Sequence, residues 1–154
     1  MRSIGRLTVV GLVISMVLAL ATLAQADTQR ARSEPNGDIA VDSSSGALTD
    51  RDKDGDFNTL TQADKGTLFY AVANQTQEAQ TVHVTVVLDG PGSAQDATLV
   101  DEDVVIGPND IRQSAFEFKV RHKDWPEGTY SLSVTGSGSE TATAVSTFTV
   151  AYDK

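Results

Sequence analysis

The chain has no cysteine. That excludes a disulfide, a thiolate metal site, a cysteine nucleophile and lipid attachment at a bacterial lipoprotein cysteine. Histidine is nearly as scarce, with His83 in an alternating segment and His122 in a charged turn far along the chain. No Gly-x-Ser-x-Gly elbow accompanies them, so the sequence offers no serine or threonine nucleophile with a base in named reach. Beyond the amino-terminal stretch no segment repeats apolar residues at i, i+3, i+4, i+7, and amphipathic helices are not expected. Basic residues are few, 12 Lys and Arg against 21 Asp and Glu, for a net charge of −9. Such a surface repels phosphate backbones and anionic membranes. Nucleic acid and lipid headgroups are poor partners for it, whereas cations and basic protein surfaces suit it.

One long uncharged apolar run is present, and it stands at the start. Arg2 and Arg6 precede Leu7 to Leu23, and Ala24-Gln25-Ala26 has the small-x-small form of a signal-peptidase site. Residues 1–26 therefore read as a signal peptide cleaved before Asp27, placing the mature chain in the periplasm or medium and off the membrane. Cleavage leaves 10 basic against 21 acidic residues, a net charge of −11. The 154 residues suit one domain with appendages, and 40% hydrophobic content is enough for a core.

The chain is organised around Tyr130, Leu132 and Val134, which share one parity, with Thr129, Ser131, Ser133 and Thr135 on the other. That is the period of a strand with one buried face. Phe148, Val150 and Tyr152 repeat it, and Gly136 to Glu140 between the two segments predicts an antiparallel hairpin. Upstream, Leu68 to Ala73 is apolar on both parities, and Thr81 to Leu88 alternates cleanly except at Val87. Asp89-Gly90-Pro91-Gly92 breaks the chain. Ala97 to Val100 and Val104 to Ile106 flank Asp101-Glu102-Asp103; three adjacent acids cannot all be buried, so two short strands or one bulged strand is expected. Phe116, Phe118 and Val120 share a face in the next segment, and Trp125-Pro126-Glu127-Gly128 turns the chain into the hairpin. Six or seven short strands with turns between them predict an all-β antiparallel sandwich. Its core should hold Tyr70, Val84, Val86, Phe116, Phe118, Tyr130, Leu132, Phe148 and Val150.

Residues 27–64 are polar and acidic and read as a tether, with Ile39 to Val41 adding at most a short edge strand; the sandwich is expected over 65–154. Within the tether, Asp50, Asp52 and Asp54 followed by Gly55 match the first half of an EF-hand-type loop, in which alternate side chains converge on one calcium ion. Asp56 adds an acid at the seventh position. The twelfth position, where the pattern uses a bidentate glutamate, is Thr61, and Asp64 is the nearest acid that could close the set.

The segments Phe69 to Asn74, the Gly90-Pro91 loop, Pro126 to Val134 and the closing Phe148-Thr149-Val150 together resemble the immunoglobulin-like sandwiches of exported bacterial and archaeal proteins, over about Lys65 to Tyr152. The resemblance implies binding, spacing or assembly rather than catalysis. The carboxyl end is also similar to periplasmic copper-carrier sandwiches, but their amino-terminal histidine and their hairpin histidine have no counterpart at Asp27 or at Ser137 to Glu140, so copper does not carry over. Trp125, the single tryptophan, reads either as a core lid beneath the Tyr130 strand or as an exposed platform for a sugar or protein ligand, and Asn74-Gln75-Thr76 is an N-glycosylation triplet. The expectation is an exported, non-catalytic protein-binding or assembly module. Two other readings are a calcium-stabilised surface protein and an accessory subunit or inhibitor of an exported enzyme that lends an edge strand to its partner.

Overall fold

The computed structural model describes residues 29–32, 37–49, 53, 55–92 and 95–152. They form nine strands: β1 (Gln29–Arg32), β2 (Ile39–Ala47), β3 (Thr59–Leu60), β4 (Lys65–Asn74), β5 (Gln80–Asp89), β6 (Ala97–Ile106), β7 (Ile111–Lys119), β8 (Gly128–Ser137) and β9 (Thr141–Val150). Two sheets result, a first in the order β1-β2-β4-β7 and a second in the order β3-β9-β8-β5-β6. Neighbours are antiparallel except for β3, which lies parallel to β9. Among the described residues no helix is long and apolar enough to cross a membrane.

The expected hairpin is the spine of the second sheet. Tyr130 faces Phe148 and Val134 faces Ala144 across it, all buried between the sheets. Val82, Val84, Val86 and Leu88 of β5 continue this apolar layer beside β8, as their alternation predicts. Leu68, Tyr70 and Val72 close it from the first sheet. Phe116 and Phe118 are only partly buried, because β7 is an edge strand and its inward side chains have a neighbour on one side alone.

Near the hairpin's entry, the Tyr130 hydroxyl donates to the carbonyl of Pro126 at 2.7 Å, pinning the turn to the strand it feeds. Gly90 lies against the same ring: a Cβ there would stand 2.2 Å from Tyr130 Cδ1, so no other residue fits without displacing the ring.

The tether reading is corrected by β2. Ile39–Ala47 is an interior strand, bonded to β1 on one side and β4 on the other, and it is buried along nearly its whole length. Its run of serines lowers the hydrophobicity that marks a strand, yet their hydroxyls are satisfied inside the sandwich. Ser43 Oγ donates to Leu132 O at 3.0 Å and lies 2.7 Å from Ser146 Oγ, to which Ser45 Oγ also donates at 3.0 Å. Hydroxyls buried without partners would be costly; bonded across the two sheets, they tie them together. Leu60, fully buried on β3, likewise brings the stretch before Lys65 into the core. The sandwich thus begins well ahead of residue 65.

The acids at 101–103 lie within one continuous strand. The register irregularity opposes Val86 and Val87 to the stretch before the acids, and the acids themselves pair regularly with β5. They are tolerated because β6 is the outer strand of its sheet.

Candidate functional site

A strand pair with one face in the core must present the other, and in the second sheet that outer face is built of hydroxyls. Thr129 opposes Thr149, Thr135 opposes Thr143 and Ser137 opposes Thr141 along β8 and β9. The last two pairs are in contact, at 3.1 Å and 2.9 Å between hydroxyl oxygens. Val145 lies among them, 47% exposed, and Val105, 75% exposed, lies on the same face at the β6 edge. The outward positions of β5, β6, β8 and β9 carry no lysine or arginine. The result is a broad, nearly uncharged surface with acids along one side.

At that side His83 stands between two aspartates of the neighbouring strand. Its Nδ1 is 2.8 Å from Asp103 Oδ1 and its Nε2 is 2.8 Å from Asp101 Oδ1. Both nitrogens can donate only in the imidazolium, so the arrangement favours the charged ring. The hydrogen bond to Asp103 raises the His83 pKa most; desolvation opposes it, and the charges of Asp103 and Asp101 add to the rise. With both nitrogens engaged, this histidine has none left for general-base or metal work. On the opposite face of β6, Glu102 lies 3.6 Å from Arg112 Nη2 across the open flank between the sheets.

Other residues singled out in the sequence have structural surroundings. Trp125 stacks on Phe118 with centroids 4.1 Å apart and also meets Tyr130 and Phe148, so it lids the end of the core. His122 rests against the Tyr152 ring at 4.4 Å. Asn74 is fully buried: its Nδ2 reaches the carbonyls of Glu78, Ile106 and Gly107, and its Oδ1 accepts from the backbone and hydroxyl of Thr76. It brackets two loops and offers no amide for glycosylation. An open polar cleft runs between Asp38, Glu78, Gln80 and Ser139, where Ser139 Oγ already bonds Asp38 and Gln80, each at 3.0 Å.

Of the expected calcium ligands, Asp50, Asp52 and Asp54 lie outside the described residues. Asp56 is described, and its Oδ1 accepts from the backbone amides of Asn58 and Thr59 at 2.8 and 3.3 Å. Among the described residues no three His, Asp or Glu side chains stand together in a way that could hold a metal ion. Two groups nearby have unmet needs: Asp64 Oδ1 and Asn58 Oδ1, each buried without a hydrogen-bond partner. Asn58 went unmarked in the sequence, although it falls at the ninth position of the Asp-rich pattern.

No family model and no curated protein matches the chain. Among solved structures it is similar to the C-terminal domain of Wzt, at 13% identity and a TM-score of 0.42, covering 86% of this chain and 85% of that one. It is similar also to the β-glucosidase of Listeria innocua, at 16% identity and a TM-score of 0.44, covering 79% of this chain and 17% of the enzyme. The alkylpurine DNA glycosylase AlkC of Pseudomonas fluorescens is a third, at 13% identity and a TM-score of 0.41, with 61% of this chain and 27% of the glycosylase covered. The chain thus spans 17% of the β-glucosidase's length and 27% of the glycosylase's.

Proposed function

We propose that the chain is an exported, non-catalytic immunoglobulin-like module that binds or assembles with a protein partner through the outer face of its second sheet. Strand order carries this reading. Setting aside the two short strands β1 and β3, the remaining seven divide into β2-β4-β7 and β9-β8-β5-β6. That is the partition of an immunoglobulin-like sandwich whose fourth strand has joined the second sheet. The Tyr130 hydroxyl bonded back to Pro126 supports the same reading, since a tyrosine near the start of the sixth such strand makes this corner in the family. The hydroxyl face that carries the exposed Val145 is the surface such a module offers, and the acids along its side favour a partner with a basic rim.

Cross-linked pull-down of the native chain from the cell envelope and medium, compared with Val145→Asp, tests the proposal. A defined partner recovered with the native chain and lost with the variant is the expected result. Recovery of no partner together with turnover on a substrate panel overturns it, and a partner retained by Val145→Asp moves the interface to another surface. Intact-mass measurement of the exported protein tests removal of residues 1–26; a chain that keeps Met1 and stays in membranes refutes it.

A further inference from the structure

Four strands end the two sheets, β1 and β7 in the first and β3 and β6 in the second. An edge presents unpaired amides and carbonyls to any other strand, and proteins blunt it with shortness or charge. Three of the four edges are blunted. β1 has four residues and β3 two. β6 is long but carries Asp101, Glu102 and Asp103 together. A second β6 laid antiparallel across these acids would set Asp101 against Asp103, or one aspartate against itself, so this edge repels its own kind.

The β7 edge is different. It runs nine residues, pairs with β4 along all of them without a register shift, and has no strand on its other side among the described residues. The ladder's two ends fix which groups it leaves free. Asn74 N donates to Asp110 O at 3.0 Å, and Val120 N donates to Asp64 O at 2.9 Å. Bonded pairs recur at every second residue of an antiparallel ladder, so Arg112, Ser114, Phe116 and Phe118 turn their amides to β4. Ile111, Gln113, Ala115, Glu117 and Lys119 turn theirs to the open side. The Ile111 amide is met there by Asp110 Oδ1 at 2.8 Å, which leaves the other four amides facing outward. On the inner face, Phe116 and Phe118 remain partly exposed for want of a neighbour on this side.

We propose that β7 pairs with β7 of a second copy, antiparallel about a two-fold axis at Ala115, joining the first sheets of the two copies into one. This register opposes all nine residues. On the outer face Ala115 meets itself, Gln113 meets Glu117 and Ile111 meets Lys119; on the inner face Ser114 meets Phe116 and Arg112 meets Phe118. No like charges oppose one another, and the Arg112 guanidinium comes to the Phe118 ring. Charge favours a second copy here and nowhere else along the edges: Arg112 and Lys119 against Glu117 give β7 a net charge of +1 in a chain of −9. Repulsion between the two acidic bodies opposes the contact from farther away, where salt screens it. The outer face of the second sheet stays free, so this contact is independent of the partner surface proposed above.

Sedimentation of the purified exported chain over a hundredfold range of concentration tests the proposal. A monomer–dimer equilibrium is expected, tightening as ionic strength rises from about 0.05 to 0.5 M. In the dimer, the amides of Gln113, Ala115, Glu117 and Lys119 should gain protection from hydrogen exchange, while those of Arg112, Ser114 and Phe116 are protected in the monomer already. Ala115→Pro removes an amide that points away from β4, so the sandwich keeps its ladder while the dimer weakens by more than about tenfold. Ala115→Lys and Ala115→Glu each set like charges together at the axis and should weaken the dimer about two- to fivefold; mixing the two variants should restore it. A monomer at every concentration overturns the proposal. So does a dimer that a folded Ala115→Pro leaves intact, or a mixture of the Lys and Glu variants no tighter than either alone. If Ala115→Pro does not fold, that mixture decides.

Discussion

Tyr130→Phe removes one oxygen from the best-enclosed corner of the fold. The lost bond is short, 2.7 Å, and the ring that carries it is fully buried, while its acceptor Pro126 is half-buried. The Pro126 carbonyl is thus partly rehydrated in the variant, which holds the cost to about 1 to 2 kcal/mol, near the value of one hydrogen bond with a modest desolvation penalty. The apolar ring stays, so Phe148, stacked on it at 5.1 Å, loses nothing. Urea unfolding followed by circular dichroism should show a lowered midpoint with an unchanged slope. Trp125, the single tryptophan, sits 5.2 Å from the same ring, so its fluorescence reads the corner directly. Tyr152→Phe supplies the control, because the Tyr152 hydroxyl donates to the adjacent Trp125 carbonyl at 2.6 Å and pins the same turn. The double variant should cost less than the two single losses together, since a turn released once has little left to lose. A Tyr130→Phe cost under about 0.3 kcal/mol, or strict additivity with Tyr152→Phe, refutes the view that these hydroxyls hold the turn as a unit.

Three further outcomes follow from the packing and charge. Leu132→Ala, at a fully buried position between the sheets, should cost about 2 to 5 kcal/mol by chemical unfolding. Gly136→Ala would place a Cβ 2.9 Å from Val72 Cγ1 and 3.2 Å from Ile39 Cγ2, so overpacking should cost about 1 to 3 kcal/mol; an unchanged melt would mean the sheets can part there freely. The raised pKa of His83 means that its link to β6 is fully present below the ordinary histidine value of about 6.5 and is lost as pH rises through the raised value. By NMR, His83 should titrate above that ordinary value and Asp103→Asn should bring it down; a titration at the ordinary value in the native chain refutes the clamp.

The parts of the fold legible in the sequence are those where one physical demand acts at a time. In β5, β8 and β9 one face is buried and the other wet, so hydrophobicity alternates with the pleat and Tyr130, Leu132, Phe148 and Val150 could be placed in the core from parity alone. In β2 two demands compete. Its inward positions are Ile39, Val41, Ser43, Ser45 and Ala47, and the serines are there because their hydroxyls meet Ser146 and the Leu132 carbonyl across the sandwich. Partners so distant in sequence are invisible to any local pattern, and without them three consecutive serines read as a tether.

The same reasoning separates the acids that were legible from those that were not. Asp101, Glu102 and Asp103 could be read as exposed, but their partners could not, since Asp101 and Asp103 share His83 on the outer face while Glu102 turns to Arg112 on the other. Pleating sends neighbours along a strand to opposite faces, so an unbroken acidic run on an edge strand must split its partners between two sheets. At Asp64 the logic runs the other way. The sequence marks it only as the nearest acid beyond the Asp-rich run and says nothing of its burial, yet burial holds one of its oxygens to Thr61 and leaves the other without a donor. An exposed aspartate in a charge run would hydrate both oxygens equally. At Asp64 the difference lies in burial, which fixes one carboxylate oxygen on Thr61 and which no local pattern of charges along the chain reports.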